Sequence, residues 1–137
     1  MILVDTTPLV ALADPRDRLH QKALGDLDRL ARRPLAVCSA VLTEACFLLP
    51  HPVQRERLRR LLDELPVRPV AVAEERPVWE DAFRWMRRYA EHEPDWADAY
   101  LVALSGQERH ARVWTYDAEF RTTWRRLDGG RVPLAVR

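Results

Sequence analysis

Short apolar runs alternating with longer segments of helical period predict an α/β domain, a three-layer arrangement with helices on both faces of a mainly parallel sheet. Three observations carry this expectation. The apolar runs are brief, as buried parallel strands are, and each is followed by turn-forming or polar residues. The segments between them repeat apolar residues three and four positions apart. Two of those segments are apolar almost all round, the composition of helices buried within a layered fold. The chain has 137 residues, enough for one core and too few for two, so residues 1–137 are read as a single domain.

Taken in order, Met1 to Asp5 reads as a strand, and Thr6-Thr7-Pro8 then opens a helix continued by Leu9 to Ala13. Asp14-Pro15 breaks it. Leu19, Ala23, Leu27, Leu30 and Ala31 give the segment from Arg16 to Arg33 helical spacing. Leu35 to Val37 is a second strand, with Ser39 as N-cap of a helix from Ala40 to Leu49 that Pro50 and Pro52 end. Val53 to Leu65 is a charged amphipathic helix, Val67 to Val72 a third strand, and Glu74 to Tyr89 a helix with Val78, Trp79, Ala82, Phe83, Trp85 and Met86 as apolar contacts. After the polar break at Glu91 to Pro94, Trp96 to Gln107 is helical and Arg112 to Thr115 a fourth strand. Asp117 to Arg126 is loop or short helix, and Asp128-Gly129-Gly130 turns the chain into a last strand, Val132 to Val136.

Composition excludes several classes. Hydrophobic residues at 47% and charged residues at 31% are those of a globular protein rather than a disordered one. Apolar stretches are too short to span a bilayer, and Met1-Ile2-Leu3-Val4-Asp5 has no basic region before its apolar run, so a cytoplasmic protein without a secretory signal is expected. The cysteines are Cys38 and Cys46, both in apolar surroundings, which excludes thiolate-built zinc or iron–sulfur sites. Net charge is +1, so nucleic-acid contacts must come from local patches. The cations are arginines apart from Lys22, and Asn is absent; this reads as a GC-rich coding sequence, not as selection for RNA binding.

Four acids stand where acids are costly. The apolar helix from Ala40 to Leu49 holds Glu44, and the apolar helix from Trp96 holds Asp98 as its one charge before Leu104. Asp5 ends the first strand and Asp117 follows the fourth. In a parallel sheet, groups at strand ends and the following helix starts collect at one edge. An unpaired buried carboxylate costs several kcal/mol or takes up a proton. No Arg or Lys lies within either apolar helix, so a hard divalent cation, Mg²⁺ or Mn²⁺, is the better partner for an oxygen-only set. Such a cluster points to phosphoryl-transfer chemistry. Each acid also has a plainer reading. Asp5 and Asp95 suit N-caps, Asp98 suits a first helical turn, and Asp117 suits a turn. Glu44, in mid-helix, has neither excuse.

These residues resemble the PIN-domain ribonucleases, in particular the VapC-type toxins of bacterial toxin–antitoxin pairs. The resemblance rests on four signatures in order: Ile2-Leu3-Val4-Asp5-Thr6-Thr7-Pro8-Leu9, Ser39-Ala40-Val41-Leu42-Thr43-Glu44-Ala45-Cys46, Asp98-Ala99-Tyr100-Leu101-Val102, and Val113-Trp114-Thr115-Tyr116-Asp117-Ala118-Glu119-Phe120. It covers essentially the whole chain. It implies a PIN-like fold and Mg²⁺-dependent endonucleolytic cleavage of RNA, with Mn²⁺ as the alternative ion. Asp5 and Asp98 would hold the main metal, with Asp117 and Glu44 completing the site; Asp98 is preferred to Asp95 because the Asp-Ala pair begins there. Thr7 or Thr115 would support a carboxylate. The resemblance further implies a cytoplasmic homodimer silenced by a small antitoxin. Arg121, Arg125 and Arg126, close after Asp117, would contact RNA or the antitoxin, whereas Arg84, Arg87 and Arg88 read as a solvated helix face.

Other enzymes that begin with strand, Asp and Thr fit less well. A haloacid-dehalogenase-like phosphatase needs a second Asp two residues after the first, where Thr7 stands, and both it and a response-regulator receiver need a lysine that Lys22 is badly placed to supply. Glycines occur at 25, 106, 129 and 130, which excludes P-loop and Rossmann fingerprints. Ser39 and Ser105 lack the context of a catalytic triad. A housekeeping PIN nuclease of RNA maturation and a non-catalytic PIN-fold binding module are the remaining alternatives.

Overall fold

Four three-residue strands form the sheet in the computed structural model, which describes residues 1–137: β1 (Ile2–Val4), β2 (Leu35–Val37), β3 (Val67–Pro69) and β4 (Arg112–Trp114). Their order is β3-β2-β1-β4 and every pair is parallel. Ile2 is level with Leu35 on one side and Arg112 on the other. Ile2, Leu3 and Val4 are all buried. Successive strand side chains point to opposite faces, so both faces of the sheet are covered, as the continuous apolar runs imply. Because the strands are parallel, the residues that follow them (Asp5, Cys38 and Thr115) emerge at the same edge.

Seven helices surround the sheet: α1 (Thr6–Ala13), α2 (His20–Leu30), α3 (Ser39–Leu48), α4 (Pro52–Glu64), α5 (Glu75–Arg88), α6 (Trp96–Gln107) and α7 (Glu119–Thr122). α1 packs on α2, α3 and α4, while α5 packs mainly on α6, which also meets α3 and β4. Pro8 is accommodated in the first turn of α1, where its missing N–H breaks no helical bond. Pro52 opens α4, and the Gln54 side chain accepts from the His51 N–H at 3.1 Å. α6 is buried along nearly its whole length, in keeping with its composition. A 3₁₀ turn, Ala90–His92, joins α5 to α6 through Glu93, whose φ of 49° is left-handed.

The departures from the sequence expectation have local causes. α2 begins at His20, not Arg16, because Asp14 and Asp17 accept from the backbone N–H groups of Arg16 and Leu19 and hold a turn there. Ser39 lies inside α3; Cys38 takes the N-cap position, and the Ser39 carbonyl accepts from the Thr43 hydroxyl. β3 stops at Pro69, three residues short of the run's end at Val72. Val132 to Val136 is not a strand. Its contact with β4 is one parallel bridge between Leu134 and Val113, with Pro133 and Ala135 exchanging backbone bonds with Val113 at 2.8 Å; Pro133 has no N–H with which to extend the ladder.

The core holds 33 buried apolar residues. Trp85 of α5 meets Tyr89 and Trp124 at ring centroid distances of 4.9 and 5.0 Å. Its Nε1 donates to the Arg125 carbonyl at 2.7 Å, and the Arg125 N–H donates to the Tyr89 hydroxyl. Arg88 is more than a solvated cation: it donates to the carbonyls of Arg126 and Leu127. The segment after α7 is thereby fastened to α5. No helix is long and apolar enough to cross a membrane.

Candidate functional site

Asp5 leaves β1 and occupies the N-cap position of α1 in extended conformation, yet its carboxylate does not cap the helix. It accepts instead from Thr115 Oγ1 at 2.6 Å, 110 positions away, at the end of β4. The Thr115 oxygen also accepts from the Asp117 N–H at 3.0 Å and lies 3.4 Å from Thr7 Oγ1. A hydroxyl has one proton to give. Since Thr115 gives its own to Asp5, Thr7 is the donor between the two threonines, and Thr7 in turn accepts from the Tyr116 N–H at 2.9 Å. Both threonines named from the sequence thus sit in one chain of bonds that ends on Asp5.

The other acids arrive from three directions. Glu44, in the middle of α3, accepts from Thr6 Oγ1 at 3.0 Å. Asp95 caps α6, accepting from the Asp98 N–H at 2.8 Å, and Asp98 occupies the first turn of that helix. Asp117 accepts from the Glu119 N–H at 2.9 Å and so starts α7. Asp95 is exposed, Asp5 is buried, and the other three are half-buried. Glu44 and Asp95 also line an open cavity of about 350 Å³ beside Phe47 and Trp96.

The electrostatics tie the five acids together. Burial pushes the Asp98 carboxyl up to about 8, and Asp95, Asp5, Asp117 and Glu44 all add repulsion. Burial likewise pushes Asp5 up to about 6; the Thr115 bond works against it, while Glu44 and Asp117 add to it. Glu44 is raised by burial and by repulsion from Asp95 and Asp117, against the pull of its Thr6 bond. None of the five acids is in an ion pair. An acidic pocket with no protein cation has room, electrostatically, for a foreign one.

The donor set fits a hard divalent ion. No three His, Cys, Asp or Glu side chains are grouped so as to grip one ion among them. Mg²⁺ makes no such demand, because it binds through one or two carboxylates and keeps several of its waters. An all-oxygen set without thiolate or imidazole suits Mg²⁺ or Mn²⁺ and disfavours softer metals.

Of the arginines named from the sequence, Arg121 is exposed and in no ion pair, Arg125 donates to the carbonyls of Arg121 and Trp124, and Arg126 pairs with Asp128 at 3.3 Å. Two contributors were not foreseen. Thr6, which fixes Glu44, stands next to the Thr7 that the sequence favoured. Tyr116, between Thr115 and Asp117, reaches away from the pocket and donates to buried Asp26 of α2 at 2.7 Å. The Asp-Thr-Thr run is the one signal that pointed to Thr6.

The combination is a small all-parallel α/β domain in which Asp5, Glu44, Asp95, Asp98 and Asp117 act on one another electrostatically and no protein cation pairs with them. The chain belongs to the PIN domain family, whose model matches residues 2–124. Among solved structures it is similar to VapC20 of Mycobacterium tuberculosis, a sarcin–ricin-loop-cleaving toxin, with 25% identity over 89% of this chain and 94% of that one and a TM-score of 0.72. VapBC2 from Rickettsia felis, bound to a DNA fragment from its promoter, shares the fold at 14% identity over 98% and 97% of the two chains, TM-score 0.64. FitAcB from Neisseria gonorrhoeae does so at 20% identity over 86% and 88%, TM-score 0.57. No curated protein sequence matches the chain. The resemblance to VapC-type PIN domains drawn from the four signatures is borne out.

Proposed function

We propose that this protein is a Mg²⁺-dependent endoribonuclease, the toxin of a VapBC-type pair, that hydrolyses RNA phosphodiesters. The observation that carries the reading is the set Asp5, Glu44, Asp98 and Asp117, buried or half-buried, electrostatically coupled and unpaired with any protein cation. Family membership and the likeness to VapC20, itself a sarcin–ricin-loop-cleaving toxin, support it.

Asp5 and Asp98 would hold the ion, with Asp117 and Glu44 completing the site and orienting water. When bound, Mg²⁺ neutralises phosphate charge and makes water a stronger nucleophile. The chain's own residues do the rest. Thr115 fixes the orientation of Asp5 and favours its ionised form. Thr6 aims Glu44, and Asp95 holds the first turn of α6 so that Asp98 faces the pocket. Because burial and repulsion raise Asp5 and Asp98, a bound cation would favour their ionised forms.

A nuclease of this kind in the cytoplasm needs restraint. The partner we propose is a small antitoxin that brings a guanidinium into the pocket, pairing bidentately with carboxylates that otherwise hold metal. Homodimerisation would cover part of the apolar surface left by Phe47, Val53, Trp79 and Phe83, each at least 46% exposed. The decisive experiment is incubation of the purified chain with total RNA, with Mg²⁺ and with chelator, mapping the ends produced. Discrete cleavage with Mg²⁺ that Asp5→Ala abolishes is expected. Intact RNA under both conditions, at matched folding, would leave the non-catalytic binding module as the better reading.

A further inference from the structure

Beyond the acidic pocket lies its electrostatic opposite. Residues 132–136 run parallel to β4, and two cavities open along this flank, of about 360 and about 450 Å³. The two adjoin at Val136 and Arg137, and the first forms a trough. Arg121, Arg131 and Arg137 line the first, Lys22 and Arg29 the second, and Asp26 is the one acidic side chain of either. Asp26 is already engaged by Lys22 and Arg29. Arg121, Arg131 and Arg137 are in no ion pair. In a chain whose net charge is +1, this is a strong local concentration of cation.

The trough and the acids are joined by short covalent paths. Arg121 stands on α7, four positions after Asp117. Tyr116, flanked by Thr115 and Asp117, donates to Asp26 in the wall of the second cavity. The floor of the first is apolar, formed by Phe120, Val132, Leu134 and Val136. Guanidiniums set at the rim of an apolar floor match a polyanion whose charges are regularly spaced and whose bases present flat apolar faces.

We propose that this trough is a binding track for the phosphate backbone of single-stranded RNA, holding the strand on one side of the bond to be cut. The inference rests on the nuclease reading and adds the subsite that would position the substrate. It replaces the sequence-derived trio with a different one: Arg121 remains, Arg125 and Arg126 are spent on backbone carbonyls and Asp128, and Arg131 and Arg137 take their place.

The test is fluorescence anisotropy of a fluorescein-labelled single-stranded RNA of mixed sequence, titrated with the full chain carrying Asp98→Asn so that the probe is not cut. Arg121 and Arg131 are exposed, so Arg121→Ala with Arg131→Ala should fold as the parent does, which thermal unfolding checks. The double variant is expected to bind at least several-fold more weakly, and its log Kd against log salt slope should fall by about 1.4, the counterion release of two phosphate contacts on a single strand. Arg121→Lys with Arg131→Lys should recover the slope, and a matched duplex should bind more weakly than the single strand. Equal affinity and slope for parent and alanine variant, while the wild-type chain cleaves RNA, would overturn the trough and leave the nuclease reading intact. Absence of both binding and cleavage by the wild type would overturn both. If the alanine pair loses affinity for poly-glutamate but not for RNA, the trough belongs to an acidic protein segment and the proposal fails.

Discussion

Asp5 and Asp26 are both almost wholly buried, at 4% and 1% exposure, and they behave oppositely. Burial raises both. At Asp26 the Tyr116 hydroxyl bond, the Lys22 bond and charge, and the Arg29 bond overcome it and hold the carboxyl below its ordinary value. At Asp5 the Thr115 hydroxyl and the Thr6 backbone N–H oppose burial but two further carboxylates reinforce it, so the group rises to about 6. Depth alone therefore does not set the state of a buried acid. What separates the two is whether the protein supplies a compensating cation, as it does at Asp26 and does not at Asp5.

The sharpest way to break the contrast is to remove an acid from each cluster. Asp98→Asn should lower Mg²⁺-dependent RNA cleavage by more than the roughly 10- to 100-fold typical of losing an outer partner of a metal ligand. It should also leave the metal-free protein as stable as before or more so, since it relieves repulsion. Unfolding of Asp98→Asn by calorimetry would instead assign Asp98 to helix initiation, and retained cleavage would move the role to Asp95.

Next in size is Thr115→Val, which strips Asp5 of its one hydroxyl donor. Cleavage should fall by about 10- to 100-fold, and Thr115→Ser, which keeps the hydroxyl, should restore most of it. Equal activity in both would mean that the hydroxyl is a turn support with no part in setting Asp5.

Stability against pH distinguishes the two clusters without any RNA. Folding raises Asp5 and Asp98, so the folded state binds more protons than the unfolded one between about pH 4 and 8. Stability contributed by their protonated forms is therefore present at low pH and lost as pH rises through about 6 and then about 8. Without metal, the melting temperature should decline across that window, and saturating Mg²⁺ should recover several degrees at its upper end. Asp26 acts in the other direction: its carboxyl is lowered, so its contribution stands above the usual carboxylate range and disappears in acid. A flat profile for the wild type that Asp98→Asn leaves unchanged would remove the electrostatic account of the pocket.

The smallest effect is expected at Asp26→Ala. It leaves the Tyr116 hydroxyl without its acceptor, a loss of about 1–3 kcal/mol, or a few degrees per kcal/mol in melting temperature. The loss should be the same with and without Mg²⁺. A Mg²⁺-dependent difference would show that the two clusters are coupled through Tyr116.

Much of the acidic pocket was legible because its acids violate local patterns. Glu44 and Asp98 interrupt helices that are otherwise apolar, and Asp5 and Asp117 stand at strand ends, so each is conspicuous in one dimension. Asp26 was invisible for the converse reason. Within α2 it is one of several charges at ordinary helical spacing from Lys22 and Arg29, and nothing local reveals that Tyr116, 90 positions on, buries it. Thr6 was passed over in favour of Thr7, since adjacent hydroxyls cannot be ranked until α1 fixes which one faces α3. The alternation of elements survived contact with the structure better than their ends did: Ser39, Arg16 to Leu19 and Val132 to Val136 all changed because hydrogen bonds, not hydrophobic period, decide where an element stops.

The pairing of β1 with β4 has a consequence for how the molecule comes into being. Residues 2–4 pair with 112–114, which are made more than a hundred residues later. One edge of β1 can pair with β2 early, but the other must wait for β4, a closure of long sequence separation that slows folding relative to the local packing of the helices. The bond from Thr115 to Asp5 is subject to the same delay. During synthesis, the chain carries its first carboxylate for more than a hundred residues before the hydroxyl that orients it exists. The orientation of Asp5 is therefore complete only once β4 has docked beside β1.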